Sequence, residues 1–453
     1  MVMTSKASSS SGVRRPCATE DSLAVAGGII AIGSELLLDG YPETNSLFLA
    51  EGLATCGIRV RWKMVVGDSL PEITEALRAA VRYAEVIVVT GGLGSTIDDC
   101  TREAVARVTG CPLRKRPHLV EVLAARYGLP SRPLTAAVFR QAQVPQGARV
   151  LENPAGSAPG FVMTWKGRLL IVLPGVPREA RMMFEERVAP LLRARYKNTE
   201  VLERHAFHTF GLPELDIQEC LHDVIAQSPD IRFAFLPSPL GVSVLLTRWS
   251  ADHEIRGHRG RSSGSAAQKA KNEDGPMERV VRAVRSRLGD AIYAEGSRTM
   301  EEVVGLELVS RSLTLAVAES CTGGLIGHRL TDVPGSSRYV DRVLVTYSNR
   351  AKCELLGVSD QLLKQYGAVS AQVAEAMAKG IRERSRSDVG LSVTGIAGPG
   401  GGSSKKPVGL VFVGVDGIRG CVIREFRFSG DRQTVKLRAS QGALDHLRRY
   451  LLS

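Results

Sequence analysis

The run Ala318-Glu319-Ser320-Cys321-Thr322-Gly323-Gly324 constrains the last third of this chain more than any other stretch. It follows the apolar segment Leu313–Val317 and precedes a helical pattern carried by Leu325, Ile326 and Leu330. A period that switches from strand to helix across small residues demands a tight turn, and here the turn begins with a hydroxyl. The first N–H groups of a helix have no partner within it. The amides of Thr322, Gly323 and Gly324 are therefore expected to stabilise an oxyanion forming beside Ser320.

A second strand, Val343–Thr346, runs into Tyr347-Ser348-Asn349, and Lys352 sits in the first turn of the helix that follows. Serine, tyrosine and lysine at such strand ends are the parts of a lysine-assisted serine hydrolase, with Ser320 as nucleophile and Lys352 as base. A free lysine with a pKa of about 10.4 is protonated at neutral pH, so Lys352 must be desolvated or set near other cations. Tyr347 would relay the proton or orient the amine. Cys321 is the rival nucleophile, since a thiolate at a helix start is also activated. It lacks a base, because His328 lies further along the same helix. Spacing alone favours Ser320 as a plain helix cap.

Length and composition set outer limits. A chain of 453 residues exceeds one ordinary core, and 44% hydrophobic with 23% charged residues is a globular profile. We expect a multidomain α/β protein: a tail at 1–22, an α/β domain at 23–195, a small α+β middle domain at 196–298, and a final α/β domain at 299–453. The tail carries Arg14-Arg15 ahead of apolar residues, yet Ala24–Ile32 reads as a first core strand rather than an export signal. No apolar run approaches the roughly 18 residues of a membrane span. Eight cysteines without a C-x-x-C pair signal neither zinc nor a disulfide framework, and a cytoplasmic setting is expected. The net charge of +12 invites a nucleic-acid partner, but aromatics are only 5% and do not interleave with the basic residues. Nucleic-acid binding is disfavoured, while anionic small molecules gain from the same field. The segment 251–276 is basic, aperiodic and rich in Gly and Ser, and is expected to be a solvated insertion.

Strand and helix patterns alternate through the first domain: a strand to Ile32, helices at 44–56 and 70–83, and strands at 60–66, 86–90 and 169–173. Gly91-Gly92-Leu93-Gly94 joins the buried strand Val86–Thr90 to a helix expected to start near Asp98-Asp99. Glycine amides beside a helix start suit a phosphate, so Gly91, Gly92 and Gly94 are candidate phosphate binders. Asp68, Asp98 and Asp99 could hold a divalent cation on a pyrophosphate, although aspartates at helix starts are often only caps. In the last domain the loop Thr394–Gly402 offers Thr394 and Gly395 to a phosphate or ribose, and Arg432 a bidentate contact.

AESCTGG, LTDVPGSS, VTYSNRAK, GAVS, VTGIAGPGGG, KPVG and FSGDR follow one another from Met300 to the C-terminus. In this the segment closely resembles the CinA C-terminal domain, the nicotinamide mononucleotide deamidases. The resemblance implies hydrolysis of the nucleotide's carboxamide to nicotinate mononucleotide and ammonia without a cofactor. It puts the catalytic trio on Ser320, Tyr347 and Lys352, and further pocket residues on Ser337, Thr394 and Arg432. AIGSELLLDG, TNSLFLAEGLATCGI, VVGD, VVTGGLGSTIDDCT, NPAGSAPG and VLPGVPRE, from Gly28 to Glu179, resemble the CinA N-terminal domain. That domain is similar to the three-layer, molybdopterin-binding MoaB/MogA fold. It implies ADP-ribose pyrophosphatase activity with Mg, Mn or Co on Asp68, Asp98 and Asp99. Ser95 stands where proline is usual and Asp39 where glycine is common. The family also implies a homodimer. The rival readings are a molybdopterin- or nucleotide-binding module without turnover, and a non-enzymatic, competence-associated binding protein.

Overall fold

The computed structural model describes residues 24–96, 98–127, 136–196, 200–251 and 275–453. The expected tail at 1–22 and nearly all of the expected insertion lie outside them. The strands in chain order are β1 (Val25–Ile32), β2 (Ile58–Val66), β3 (Val86–Thr90), β4 (Leu113–Lys115), β5 (Gln143–Pro145), β6 (Arg149–Leu151), β7 (Gly160–Trp165) and β8 (Arg168–Leu173). They continue with β9 (Glu200–Thr209), β10 (Arg232–Ser238), β11 (Gly241–Ala251), β12 (Ile292–Glu295), β13 (Leu315–Glu319), β14 (Val340–Val345), β15 (Val389–Gly395), β16 (Leu410–Gly417) and β17 (Gly420–Arg427).

The first sheet has the order β2-β1-β3-β8-β7-β6, parallel except at its β7 and β6 edge. Its central strands are apolar on both faces because both are covered. Ile30, Ile87 and Val89 enter one core with Ile73 and Leu77, whereas Ile29, Val86 and Val88 enter a second with Leu49 and Leu53. That alternation is the period of two of a strand, and it makes three layers. This is the α/β layering expected for the domain.

A four-stranded sheet, β10-β11-β9-β12, follows with helices Glu214–Ala226 and Pro276–Leu288 and its own core around Phe207, Ile217, Leu221 and Val244. The third sheet has the order β14-β13-β15-β16-β17. β13 is parallel to both neighbours, while β16 runs antiparallel to β15 and β17 antiparallel to β16. Helices Met300–Ser310, Leu325–Thr331 and Arg432–Leu452 cover one face of it. Asn349–Leu356 and Ala371–Ser385 cover the other.

One helix start differs from expectation, for a local reason. The helix expected near Asp98 starts at Thr101, because Asp99 folds back onto the Thr96 amide at 2.9 Å instead of capping the helix. The C-terminal helix starts at Arg432, where Asp431 is its cap and accepts from the Thr434 amide at 2.8 Å. The described chain separates into two compact units. One closes at Leu202 and takes in Trp249 and the residues just after it; the other holds Glu203–Arg248 and the described chain from Gly275 onward. No helix among the described residues is long and apolar enough to cross a membrane.

Candidate active site

The end of β13 is flanked by the ends of β14 and β15, and short hydrogen bonds pin the three together. The Thr346 amide donates to Glu319 O at 2.8 Å, and the Ser320 amide donates to Val393 O at 3.0 Å. Ser320 therefore stands where the apolar strand gives way to the turn, with its residue only 8% exposed. Lys352 arrives from the helix Asn349–Leu356, whose start Ser348 caps by accepting from the Ala351 amide. The lysine is 1% exposed.

Its Nζ meets three oxygens: Ser320 Oγ at 3.0 Å, Thr346 O at 2.7 Å and Tyr347 O at 3.3 Å. Two of these are carbonyls and can only accept. A neutral amine has two N–H donors and one lone pair. When both N–H groups serve the carbonyls, the lone pair faces the serine hydroxyl. Burial pushes the Lys352 pKa below the ordinary lysine value, toward the form that has that lone pair. The sequence supplied the pair of residues, and the fold brings them into contact.

Cys321 is buried beside them, and burial pushes its thiol up to about 12, with the Glu319 carboxylate acting in the same direction. At neutral pH it is a thiol, not a thiolate, and does not compete as a nucleophile.

Three other expectations are altered by the geometry. Of the presumed oxyanion donors, the Gly323 amide donates to Ser320 O at 3.1 Å and the Gly324 amide to Glu319 Oε2 at 2.9 Å. Neither is free, which leaves Thr322, itself buried, with a side-chain hydroxyl that has no partner. The Tyr347 side chain is 61% exposed and its hydroxyl accepts from Arg432 Nη2 at 2.9 Å, so the residue touches Lys352 through its carbonyl rather than its phenol. Ser337 precedes β14, at the start of that strand, while Ser320 follows the end of its parallel neighbour β13. At about 3.3 Å per residue the two lie roughly 16 Å apart along the sheet, so one chain does not bring them together.

Thr394 and Gly395 do close β15 beside Ser320, as their motif suggests, although the Thr394 hydroxyl donates to Ala368 O at 2.7 Å. Arg432 also donates to Gly398 O at 2.7 Å, tying the C-terminal helix to the glycine-rich loop.

Sequence reasoning missed Glu319. Its carboxylate is fully buried and accepts from the amides of Gly324, Ile326 and Gly327 at 2.9, 3.2 and 2.8 Å. A negative group suits a helix start, and this one holds the turn that presents Ser320. The signal was available: an acid closing an otherwise apolar strand, just ahead of two glycines.

In the N-terminal unit the loop after β3 is shaped by close approach. A Cβ on Gly91 would lie 2.1 Å from Ile32 O, and one on Gly92 2.1 Å from Thr101 Oγ1. The buried Arg102 donates to Leu93 O at 2.6 Å, and Arg140 to Ser95 O and Thr96 O at 2.6 and 2.7 Å. Two guanidiniums thus hold the loop's carbonyls. Burial pushes Arg102 down to about 10.

The aspartates expected to bind a cation are otherwise engaged. Asp68 accepts from the Ser34 amide at 2.7 Å, Asp99 from the Thr96 amide and hydroxyl, and Asp98 is exposed, its carboxyl lowered below the usual range by the nearby polar groups of Thr96 and its own backbone. Among the described residues no group of three or more His, Cys, Asp or Glu is gathered to hold a metal ion. As arranged, Asp68, Asp98 and Asp99 do not fit a divalent cation.

A two-unit chain with a nucleophile–amine pair in one unit and a six-stranded, mostly parallel sheet in the other matches known sequences along most of its length. The profile of the CinA C-terminal domain matches residues 297–451, and that described as "Probable molybdopterin binding domain" matches residues 28–194. A "Putative competence-damage inducible protein" of Halothermothrix orenii is 40% identical over 424 residues, covering 93% of this chain and 98% of that protein. A "CinA-like protein" of Geotalea uraniireducens is 38% identical over 431 residues, covering 94% and 97%. The crystal structure of competence/damage inducible protein CihA from Agrobacterium tumefaciens is 41% identical and covers 34% of this chain and 98% of that one, with a TM-score of 0.33. The chain belongs to the CinA family of competence/damage-inducible proteins.

Proposed function

We propose that the C-terminal domain hydrolyses the carboxamide of nicotinamide mononucleotide. The observation that carries this reading is the 3.0 Å contact between a buried lysine amine and the hydroxyl of Ser320. Neutral Lys352 takes the Ser320 proton as Oγ attacks the carboxamide carbon, giving a tetrahedral oxyanion. The C–N bond then breaks, the lysine returns the proton to nitrogen, and ammonia leaves an acyl-serine. Water, deprotonated by the same amine, cleaves the ester to nicotinate mononucleotide and restores the serine. Nucleophile and base in this scheme both belong to the chain. The family resemblance names the substrate, and the geometry supports the reaction type.

Ammonia release from nicotinamide mononucleotide by the purified protein tests it. Ser320→Ala and Lys352→Ala should each lose activity, and Cys321→Ala should keep it. Full activity in Ser320→Ala with none in Cys321→Ala would reject the mechanism.

For the N-terminal domain we infer binding of a nucleotide pyrophosphate such as ADP-ribose at the Gly91–Thr96 loop. The support is the pair of guanidiniums on the loop's carbonyls, which fixes the backbone's orientation. Cleavage there is a proposal drawn from the family resemblance, and no step is assigned to the aspartates. Retention of molybdopterin in preference to ADP-ribose would favour a pterin-binding module instead.

A further inference from the structure

The C-terminal helix sends a second cation toward the serine turn. Lys436 lies one turn after Arg432, and residues four apart on a helix share a face, about 5–6 Å apart at their Cβ atoms. A Cβ built on Gly323 would lie 3.6 Å from Lys436 Nζ and would meet nothing else within 4 Å. The ammonium therefore overlooks open space beside the turn that carries Ser320. Gly323 keeps that space clear, with a φ of +63° that suits glycine. Lys436 is half-buried, and among the described residues no hydrogen bond or ion pair engages its ammonium. The other cations here differ. Lys352 is held by two carbonyls and the serine, and Arg432 is on Gly398 O and the Tyr347 hydroxyl. An ammonium without an acceptor in the chain, set over a gap beside a nucleophile, is placed to receive an anion from outside.

We propose that Lys436 is a substrate-positioning residue that holds the phosphomonoester of the nucleotide, with Arg432 alongside. This rests on the reading of the site as a nucleotide carboxamide hydrolase. Two cations one turn apart suit a doubly charged phosphate. The amine that serves the reacting carboxamide is the separate Lys352, on the opposite face of the sheet. Lys436 would act on binding rather than on bond breaking, and it would select the nucleotide over the nucleoside.

The test uses full-length Ser320→Ala protein, so that ligand stays intact, and measures equilibrium binding of nicotinamide mononucleotide and nicotinamide riboside. Adding Lys436→Ala should weaken binding of the nucleotide by about tenfold to a hundredfold, the usual worth of a charge-assisted hydrogen bond. Binding of the riboside, which lacks phosphate, should change less than about twofold, within the worth of a surface change. Lys436→Arg should recover most of the nucleotide affinity. Should Lys436→Ala melt early, Lys436→Met keeps most of the side-chain length without the charge and serves the same comparison. Equal loss for both ligands, no loss for either, or no binding of the nucleotide at all would overturn the proposal. Ammonia release by the unmodified protein reports separately on the hydrolase reading. A nucleotide-selective loss with no ammonia would leave Lys436 in place and remove the chemistry.

Discussion

Two loops in this chain leave the C-terminal ends of buried parallel strands, one after β3 and one after β13, and in both a carboxylate accepts backbone amides, with different consequences for the site. After β13, a single buried acid, Glu319, takes three backbone amides, and the reactive hydroxyl and amine are left facing one another. At the other site, the carboxylates expected to hold a cation are themselves the ones that take the amides: Asp68, after β2, from Ser34, and Asp99, after β3, from Thr96. Strand-end topology alone does not make a reactive site. What separates the two is which polar groups still have a free valence after the backbone has been satisfied.

The largest effect that could break this contrast sits at Lys352. Lys352→Met fills a similar volume but removes the lone pair, and turnover should fall by about 10²–10⁴, the usual worth of a positioned general base. The intact enzyme's rate should rise with pH through a lysine value below the ordinary one, since burial lowers it and only the neutral amine is a base. Stability carries the same sign. Because the folded pKa is lowered, the unfolded chain binds the proton more tightly. Stability is least below the folded value and rises as pH climbs toward the unfolded value of about 10.4. Lys352→Met should flatten that slope in melting curves taken across alkaline pH. A slope unchanged by the substitution would mean that the amine is not the desolvated group.

Glu319→Gln probes the support beneath the serine. One amide oxygen can serve Gly324 and Ile326, which share Oε2, but the NH₂ group then faces the Gly327 N–H, donor against donor. A buried mismatch of this kind costs about 1–3 kcal/mol. Melting of the C-terminal unit should drop accordingly, and ammonia release should fall as the turn loosens. An unshifted melting temperature would show that Glu319 does not hold the turn.

The fold was legible wherever one period ran long enough. The buried strand Val86–Thr90 and the helix Leu70–Tyr83 lie where the pattern puts them, because the strand is buried on both faces and the helix packs one apolar face against Ile87 and Val89. Ser320 and Lys352 were legible as residue types at strand and helix ends. Their contact was not, because it joins positions 32 apart through the register of β13 and β14. Glu319 was hidden by its chemistry: an acid in a core strand looks like an error until its three donors are seen. Ser337 shows the converse. A motif residue can sit in the right order in the sequence and still be carried by the crossover to the far end of a sheet. Likewise, no spacing rule reveals that Asp99 turns back to Thr96.

Cys321 should matter far less than its neighbour. With its thiol held up to about 12, only a trace is thiolate at pH 7. Cys321→Ser should leave ammonia release within about threefold, and a buried thiol in this state should resist iodoacetamide at neutral pH. Rapid alkylation with parallel loss of activity would place a reactive sulfur at the turn and undo the distinction between the two side chains.

The smallest effect is expected in the other loop. A cation bound to the folded protein at a hundred times its dissociation constant would add about 2.7 kcal/mol of stability. Asp68 and Asp99 are fixed by backbone amides, and among the described residues they are not gathered at one point, so a cation would have to move the loop to draw the carboxylates together. Magnesium or manganese at millimolar concentration, without nucleotide, should therefore leave the melting of the N-terminal unit unmoved. A clear upward shift, lost in Asp68→Asn and Asp99→Asn, would show that the loop rearranges to a metal-binding form on its own. The contrast between the two strand ends would then be one of resting conformation, with the carboxylates held in reserve by the amides they cap.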